Sequence, residues 1–417
     1  MTNPDRPKAF APLVALSLAL LGGGAVAGAQ TPASSGTKPL KVFVLAGQSN
    51  MQGHAHIGTF DSMADDPKTA PLLAQMRDAD GKSRVCEQVW ISSVGCLGDA
   101  YSDRQEAMGR LTVGFGAPEE KIGPEFTFGL TMEERLGEPI LIIKTSWGGR
   151  SLHTDFRPPS AGPYFWSEYE LEQMKGGNTD LDAARAEKIE ATGVYYRAMV
   201  DHVRVVLADL KRVVPGYDPK QGYELAGFVW FQGFNDLVSG WTYDRQDHPG
   251  GYDLYADLLA HLIRDIRRDL AAPKLPVVIG VMGIGGLKED KGGAQMHFRQ
   301  AQRASTRLPE FSGNVVAVET ADFWDDELEA LQQRSEQLHD EFNREVERHP
   351  EWSDEERDAQ RQKAVAAKLT PAELKRLEGV SNGGYHYLGA AKILAPIGKA
   401  FAEALITLRN AEARSGK

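Results

Sequence analysis

The sequence predicts an α/β fold, a parallel sheet covered by helices on both faces. Apolar runs such as "KVFVLAG" from Lys41, "PILIIKTSWGG" from Pro139 and "PVVIGVMGIGG" from Pro276 lack polar alternation, as strands buried on both faces do. Helical patterns separate them, above all "YADLLAHLIRDIRRDLA" from Tyr255, apolar at spacings of three and four. The chemically suggestive residues fall just after strands, where ligands bind in such sheets.

The elements follow in order. Arg6 and Lys8 precede the apolar "FAPLVALSLALLGGGAVAGA", and Ala27-Gly28-Ala29 offers small residues for cleavage before Gln30. This reads as a signal peptide over 1–29 and a polar linker over 30–39, so the chain is expected to be exported, periplasmic or secreted. A membrane anchor is the alternative, but the apolar core is short for a span and no later stretch is long enough for one. The first strand ends in "GQSNMQG". "VWISSVG" from Val89 is the second, and "EFTFGLTMEERLG" from Glu125 is a helix stopped by Gly137. The strand from Pro139 comes next. A long helical stretch from Ala184 to Val214 ends at Pro215-Gly216, and "LAGFVWFQGFND" from Leu225 is a strand running into a polar loop. After the amphipathic helix come the strand from Pro276, a helix near Met296 to Thr306, and the strand "NVVAVETADFW".

Residues 325–378 differ. They are dense in charge and poor in large apolar residues, broken by Pro350 and Pro371, with Ser353 and Thr370 placed to cap helices. This predicts a helical insertion within one domain over 40–417, either a solvated excursion or a lid or partner arm.

The chain has 417 residues, 42% hydrophobic and 25% charged, enough for a large core. Its net charge of -11 argues against nucleic acid as a partner. Cys86 and Cys96 either close a short disulfide loop or are two buried thiols. No metal-ligand spacing and no phosphate- or dinucleotide-binding glycine pattern occurs, so neither metal nor cofactor is expected. Oligomeric state is not legible.

Ester cleavage by serine needs an exposed hydroxyl on a tight turn, a histidine base, and donors for the developing oxyanion. Ser49, after Gly47 and Gln48, supplies the first. It is not a G-x-S-x-G elbow, because Met51 occupies the last position. "TSWGGRSLH" offers backbone N–H groups at Gly148 and Gly149. "WFQGFND" offers the amides of Gln232 and Asn235. "SNGGYHYLGAAK" carries His386 just before the last helix. Gln48, Arg150, Trp147 and His153 lie close enough in these blocks to shape a pocket, with Trp147 or Trp241 able to stack on a sugar. Each of these has a local packing or capping role as its alternative.

The order "GQSN", "GG", "QGFND" and a late histidine resembles the SGNH hydrolases. "VFVLAGQSNMQG" resembles their sialate O-acetylesterase-type branch, which includes carbohydrate acetylesterases. The resemblance runs from about Leu40 to Ile406, interrupted by the insertion. It implies a flavodoxin-like three-layer α/β/α sandwich and hydrolysis of acetyl esters on carbohydrate. Ser49 would be nucleophile and His386 base. The oxyanion donors would be the N–H of Ser49, that of Gly148 or Gly149, and the amide of Gln232 or Asn235.

One position departs from the pattern. The family places an aspartate two or three residues before the histidine, and here those residues are Gly384 and Gly383, with Asn382 one step further back. Three outcomes stay open: a carboxylate from elsewhere, with Asp322 or Asp325 as candidates; a backbone carbonyl; or a weakened site. The last would make the chain a glycan-binding protein on the same scaffold. Acyl transfer to an acceptor sugar is a further alternative to hydrolysis.

Overall fold

The computed structural model describes residues 38–97, 105–118, 120–176, 180–287 and 293–415. Among them the strands are β1 (Leu40–Gly47), β2 (Ala55–His56), β3 (Val89–Val94), β4 (Glu106–Arg110), β5 (Lys121–Ile122), β6 (Ile140–Ser146), β7 (Tyr223–Phe231), β8 (Val277–Val281) and β9 (Val315–Glu319). Seven form one sheet in the order β4-β3-β6-β1-β7-β8-β9, and β2 and β5 form a two-residue ribbon. Neighbours in the sheet are parallel except β4, which runs antiparallel to β3 at one edge. That edge strand, half exposed and containing a glycine, has no apolar run to announce it.

The side-chain alternation of β1 divides the core. Val42, Val44 and Ala46 face the helices Val194–Ala208 and Asp253–Asp269 through Met199, Val203, Leu259 and Ile263. Phe43 and Leu45 face the helices Pro124–Leu136 and Ala391–Ser415 through Phe126, Phe128, Leu394 and Phe401. Each side chain of this size removed from water contributes roughly 1.5–3 kcal/mol. The result is the three-layer α/β/α sandwich that the apolar runs imply.

From β1 the chain lays down β3 and β6 on one side, then crosses to build β7, β8 and β9 on the other. The crevice between β1 and β7 is the point where the direction of winding reverses, the place where such sheets bind ligands. Register pairs Gly47 with Ser146 on one side and with Phe231 on the other. The segments starting at Gln48, Trp147 and Gln232 therefore leave the sheet at one level.

Three expectations need correction or placement. The stretch from Ala184 to Val214 is not one helix. It breaks at Gly193, whose φ is +70°, and again at Asp209, giving Leu181–Ala191, Val194–Ala208 and Leu210–Val213. Cys86 and Cys96 are buried free thiols, not a disulfide. Burial pushes the Cys86 thiol up to about 12, with Glu133 adding to the effect. The signal peptide and linker read over 1–39 lie almost wholly outside the described residues, and no described helix is long and apolar enough to cross a membrane.

The charged stretch forms the helices Asp326–Val346, Asp354–Ala366 and Pro371–Leu377. Ser353 and Thr370 cap the second and third, each in a reciprocal capping box with the glutamate three residues on. A small apolar cluster of Leu331, Val365 and Leu369 joins these helices to one another. Ion pairs of Lys375 with Asp65 and of Asp325 with Lys392 join them to the body, Leu328 joins them to its core, and Arg376 pairs with Asp325 within the stretch.

Candidate active site

Ser49 opens a single helical turn, Ser49–Gln52, directly after β1. A side chain at Gly47 would meet the Phe231 carbonyl at 2.1 Å, so glycine lets β1 and β7 finish side by side. The N–H of Ser49 has no acceptor among the described residues, as expected for the first residue of a helical turn.

A fully buried ion pair supports the turn from below. Lys144 Nζ lies 2.7 Å from each of the Gln52 carbonyl, the Phe115 carbonyl and Glu125 Oε2, which uses all three of its donors. Both side chains are fully inaccessible. The other oxygen of Glu125 accepts from Gly123 N–H at 2.9 Å. The sequence hides this arrangement, because Lys144 reads as one polar residue in an apolar run.

Gln48, expected to touch substrate, is framework instead. It is 1% exposed. Its Oε1 accepts from Gly233 N–H, Asn235 N–H and Gln232 Nε2, and its Nε2 donates to Asn235 Oδ1 at 2.7 Å. This last bond fixes which way the Asn235 amide faces. Asn235 Nδ2 has no acceptor among the described residues and remains a donor. Gln232 differs, since its Nε2 lies against the Arg150 carbonyl (3.0 Å) and Asp236 Oδ2 (2.6 Å) as well as Gln48. Its amide hydrogens are committed inside the protein, so of the two expected amides the geometry leaves Asn235.

Asp236, to which the sequence reading gave no role, is the hub of this corner. It is fully buried and accepts from Leu152 N–H, His153 N–H, Gln232 Nε2 and Tyr243 OH, with His153 Nδ1 at 3.0 Å. Burial alone would raise its pKa. The His153 ring and the Leu152 and Gln232 donors outweigh that and hold it below the ordinary carboxylate value. His153 is thereby a buried partner of Asp236, not a substrate contact. Trp147 is likewise interior, 4% exposed and packed on Phe156 and Tyr195. Arg150 is partly exposed, 3.6 Å from Asp155 and 4.4 Å above the Tyr195 ring. Gly149, at φ +68°, is exposed, and its N–H has no acceptor among the described residues.

His386 sits in a turn, Gly384–Gly389, that packs against the Ser49 turn. Tyr387 and Leu388 adopt left-handed backbone, φ +54° and +60°, which costs a non-glycine residue about 1–3 kcal/mol. Burial holds them there. Tyr387 is fully buried, and its hydroxyl accepts from Gly283 N–H at 2.8 Å and meets Thr320 Oγ1 at 2.6 Å. Cross-links tie this turn to the segment after Ser49. The His386 ring stacks on that of His54, centroids 3.8 Å apart and 4° from parallel. Ser381 Oγ accepts from His56 N–H and reaches the His54 carbonyl at 3.1 Å.

The group facing the second nitrogen of His386 is neither aspartate proposed from sequence. Asp322 is exposed and makes no hydrogen bond or ion pair among the described residues. Asp325 caps the helix from Asp326 and pairs with Lys392. Nor is it a backbone carbonyl. His386 Nδ1 lies 2.9 Å from Asn382 Oδ1, which also accepts from Gly383 N–H at 2.8 Å. The acceptor is a neutral amide. Burial, and then the charge of Lys121, lower the imidazole to about 4, with no carboxylate opposing them. Ser49 Oγ and His386 are not hydrogen-bonded to each other here.

A model of the family described as "carbohydrate esterase, sialic acid-specific acetylesterase" matches residues 39–347. Among curated proteins nothing matches. Similar solved structures include a protein from Arabidopsis thaliana (16% identity, 68% of this chain and 86% of that one, TM-score 0.36). A carbohydrate acetylesterase from Xanthomonas citri (15%, 68% and 51%, 0.39) and NanS (14%, 68% and 78%, 0.36) are also similar. The matched span holds the Ser49, Gly148-Gly149 and Asn235 blocks and stops before Asn382 and His386. With three quarters of its length in that match, the chain belongs to the sialic acid-specific acetylesterase family of carbohydrate esterases.

Proposed function

We propose that this protein is an exported serine esterase that releases acetate from O-acetylated carbohydrate. The observation that carries the reading is the stacking of His386 on His54, five residues beyond Ser49, with Asn382 holding the far nitrogen of the base. Family membership supports the acetylated sugar as substrate class, and the leader read at the N-terminus supports export.

In the first step Ser49 Oγ attacks the acetyl carbonyl as His386 Nε2 takes its proton. The Ser49–His386 hydrogen bond forms as substrate seats, as such bonds often do. The negative charge on the carbonyl oxygen is met by the Ser49 and Gly149 N–H groups and by Asn235 Nδ2. One such donor is worth about 10²–10³ in rate. The tetrahedral intermediate collapses as His386 returns the proton to the departing sugar oxygen, leaving acetyl-Ser49. Water, deprotonated by His386, attacks the acyl carbon and releases acetate and free serine. Asn382 keeps Nδ1 protonated and Nε2 available throughout.

Acetate release from a panel of acetylated glycans, compared between the natural chain and Ser49→Ala, tests this. The variant is expected to lose at least about 10³-fold in kcat with an unchanged melting temperature. Wild-type turnover in the variant removes Ser49 as nucleophile. Sugar binding without acetate release by the natural chain identifies a glycan-binding protein instead.

A further inference from the structure

We infer that Tyr385, backed by Phe234, is the platform on which the sugar ring bearing the acetyl group lies. The inference rests on the esterase reading above and adds the place and chemistry of the leaving-group subsite. Tyr385 is 50% exposed, unusual for a large aromatic side chain held on two sides. Its ring centroid lies 4.4 Å from that of His386 and 6.0 Å from that of Phe234. Phe234 opens the short helix that carries Asn235. The two aromatic rings thus join the base to the oxyanion donor along one side of the crevice.

The sequence provides for this placement. A side chain at Gly383 would come within 2.6 Å of the Tyr385 ring. Glycine there lets the ring fold back over its own loop, and the same residue's N–H helps hold Asn382 Oδ1. The exposed face of Tyr385 is therefore built in and not a freely rotating surface ring.

Chemistry selects the occupant. His386 must hand its proton to the sugar oxygen, so that oxygen comes within hydrogen-bond reach of the imidazole. The ring carrying it then lies within about one ring's width of His386, which is where the Tyr385 face is. A pyranose presents a face of C–H groups that packs on an aromatic ring while its hydroxyls stay in water. A short alkyl alcohol gains little from such a surface. Of the two tryptophans expected to stack on a sugar, Trp147 is interior and Trp241 is exposed, but it is Tyr385 whose ring adjoins those of His386 and Phe234.

The test is the ratio of kcat/KM for a mono-acetylated methyl pyranoside to that for ethyl acetate, measured on the full chain. Tyr385→Ala is expected to lower the ratio about five- to tenfold, the size of an aromatic stacking contact. Tyr385→Phe should keep it within about twofold, because the ring face and not the hydroxyl makes the contact. Phe234→Ala should lower it by a smaller factor. An unchanged ratio in Tyr385→Ala, or an equal fall for both esters, overturns the platform, the second outcome making Tyr385 a support for His386 only. A natural chain that hydrolyses neither ester overturns the esterase reading itself, which separates the two failures.

Discussion

The two halves of the site are held by opposite means. The Ser49 half is fixed by buried charge and committed amides: Lys144 and Glu125 beneath the turn, Gln48 and Asp236 between the strand ends. The His386 half is fixed by left-handed backbone at Tyr387 and Leu388, a stacked ring and one neutral acceptor. The first half is tied into the stability of the whole sheet. The second is a short turn anchored in the core by Tyr387 and Leu388, and only its outer residues 381–386 can change without disturbing that core. The proposed reaction needs both halves, and in the second an amide, Asn382, stands against the imidazole where the family pattern has an acid.

The comparison breaks most visibly at Lys144. Lys144→Met leaves Glu125 charged and uncompensated in the interior. A stability loss of about 3–5 kcal/mol is expected by urea unfolding, and pairing the change with Glu125→Gln should recover most of it. A loss below 1 kcal/mol would show that the Ser49 half does not depend on this pair. At the other half, Asn382→Ala should leave the unfolding midpoint nearly unchanged while lowering kcat by about 10²-fold. That is less than the roughly 10⁴ seen when a triad loses its aspartate, because a neutral acceptor orients the imidazole but stabilises its charged form weakly. An Asn382→Ala variant with full kcat would remove the amide from the mechanism.

The pH profile sharpens the same contrast. In the proposed mechanism His386 accepts a proton only when neutral, and burial lowers its pKa from the ordinary 6.5 to about 4. Activity should therefore hold as pH falls through 6 and decline only as it approaches about 4. In the unfolded chain this histidine binds its proton at the ordinary value, so its contribution to stability is present above about 6.5 and is lost as pH falls toward 4. Asn382→Asp places a carboxylate against Nδ1 and should move the acidic limb of kcat/KM upward by about 1–2 units. A limb that stays near 4 in that variant would mean that residue 382 does not govern the base.

What the sequence discloses follows the same division. The strand runs and the glycines after them disclose the sheet, the crevice and the candidates Ser49, Gly149 and Asn235, because unbroken apolar runs and tight turns are local signals. Asn382 is hidden because a search for an acid at fixed spacing assumes an ordinary turn. The turn brings Asn382, four residues before His386, against the ring, where its Oδ1 also accepts from Gly383 N–H, and no acid spacing points to it. Asp236 and Lys144 are hidden for another reason. Most of their partners lie on distant helices and loops, Gln52, Phe115 and Glu125 for Lys144 and Leu152 and His153 for Asp236, so their worth appears only once the chain is folded. The inward turns of Trp147 and His153 are tertiary outcomes of the same kind.

The smallest expected effect asks how far the His386 half extends. The insertion ends at Leu377, five residues before Asn382, so its stability could bear on the base or be separate from it. Ser353 caps the helix Asp354–Ala366 from the far side of the insertion. Ser353→Ala removes that cap at a cost of about 1 kcal/mol, which corresponds to about fivefold faster amide hydrogen exchange across residues 354–366 if opening is local. Because the helix Asp354–Ala366 packs on Asp326–Val346 through the small apolar cluster, while the stretch meets the body through Leu328 and through ion pairs at Lys375 and Asp325, kcat on an acetyl ester is expected to stay within about twofold. A parallel fall in kcat and rise in exchange at residues 381–389 would join the insertion to the His386 half and make its helices part of what holds the base in place.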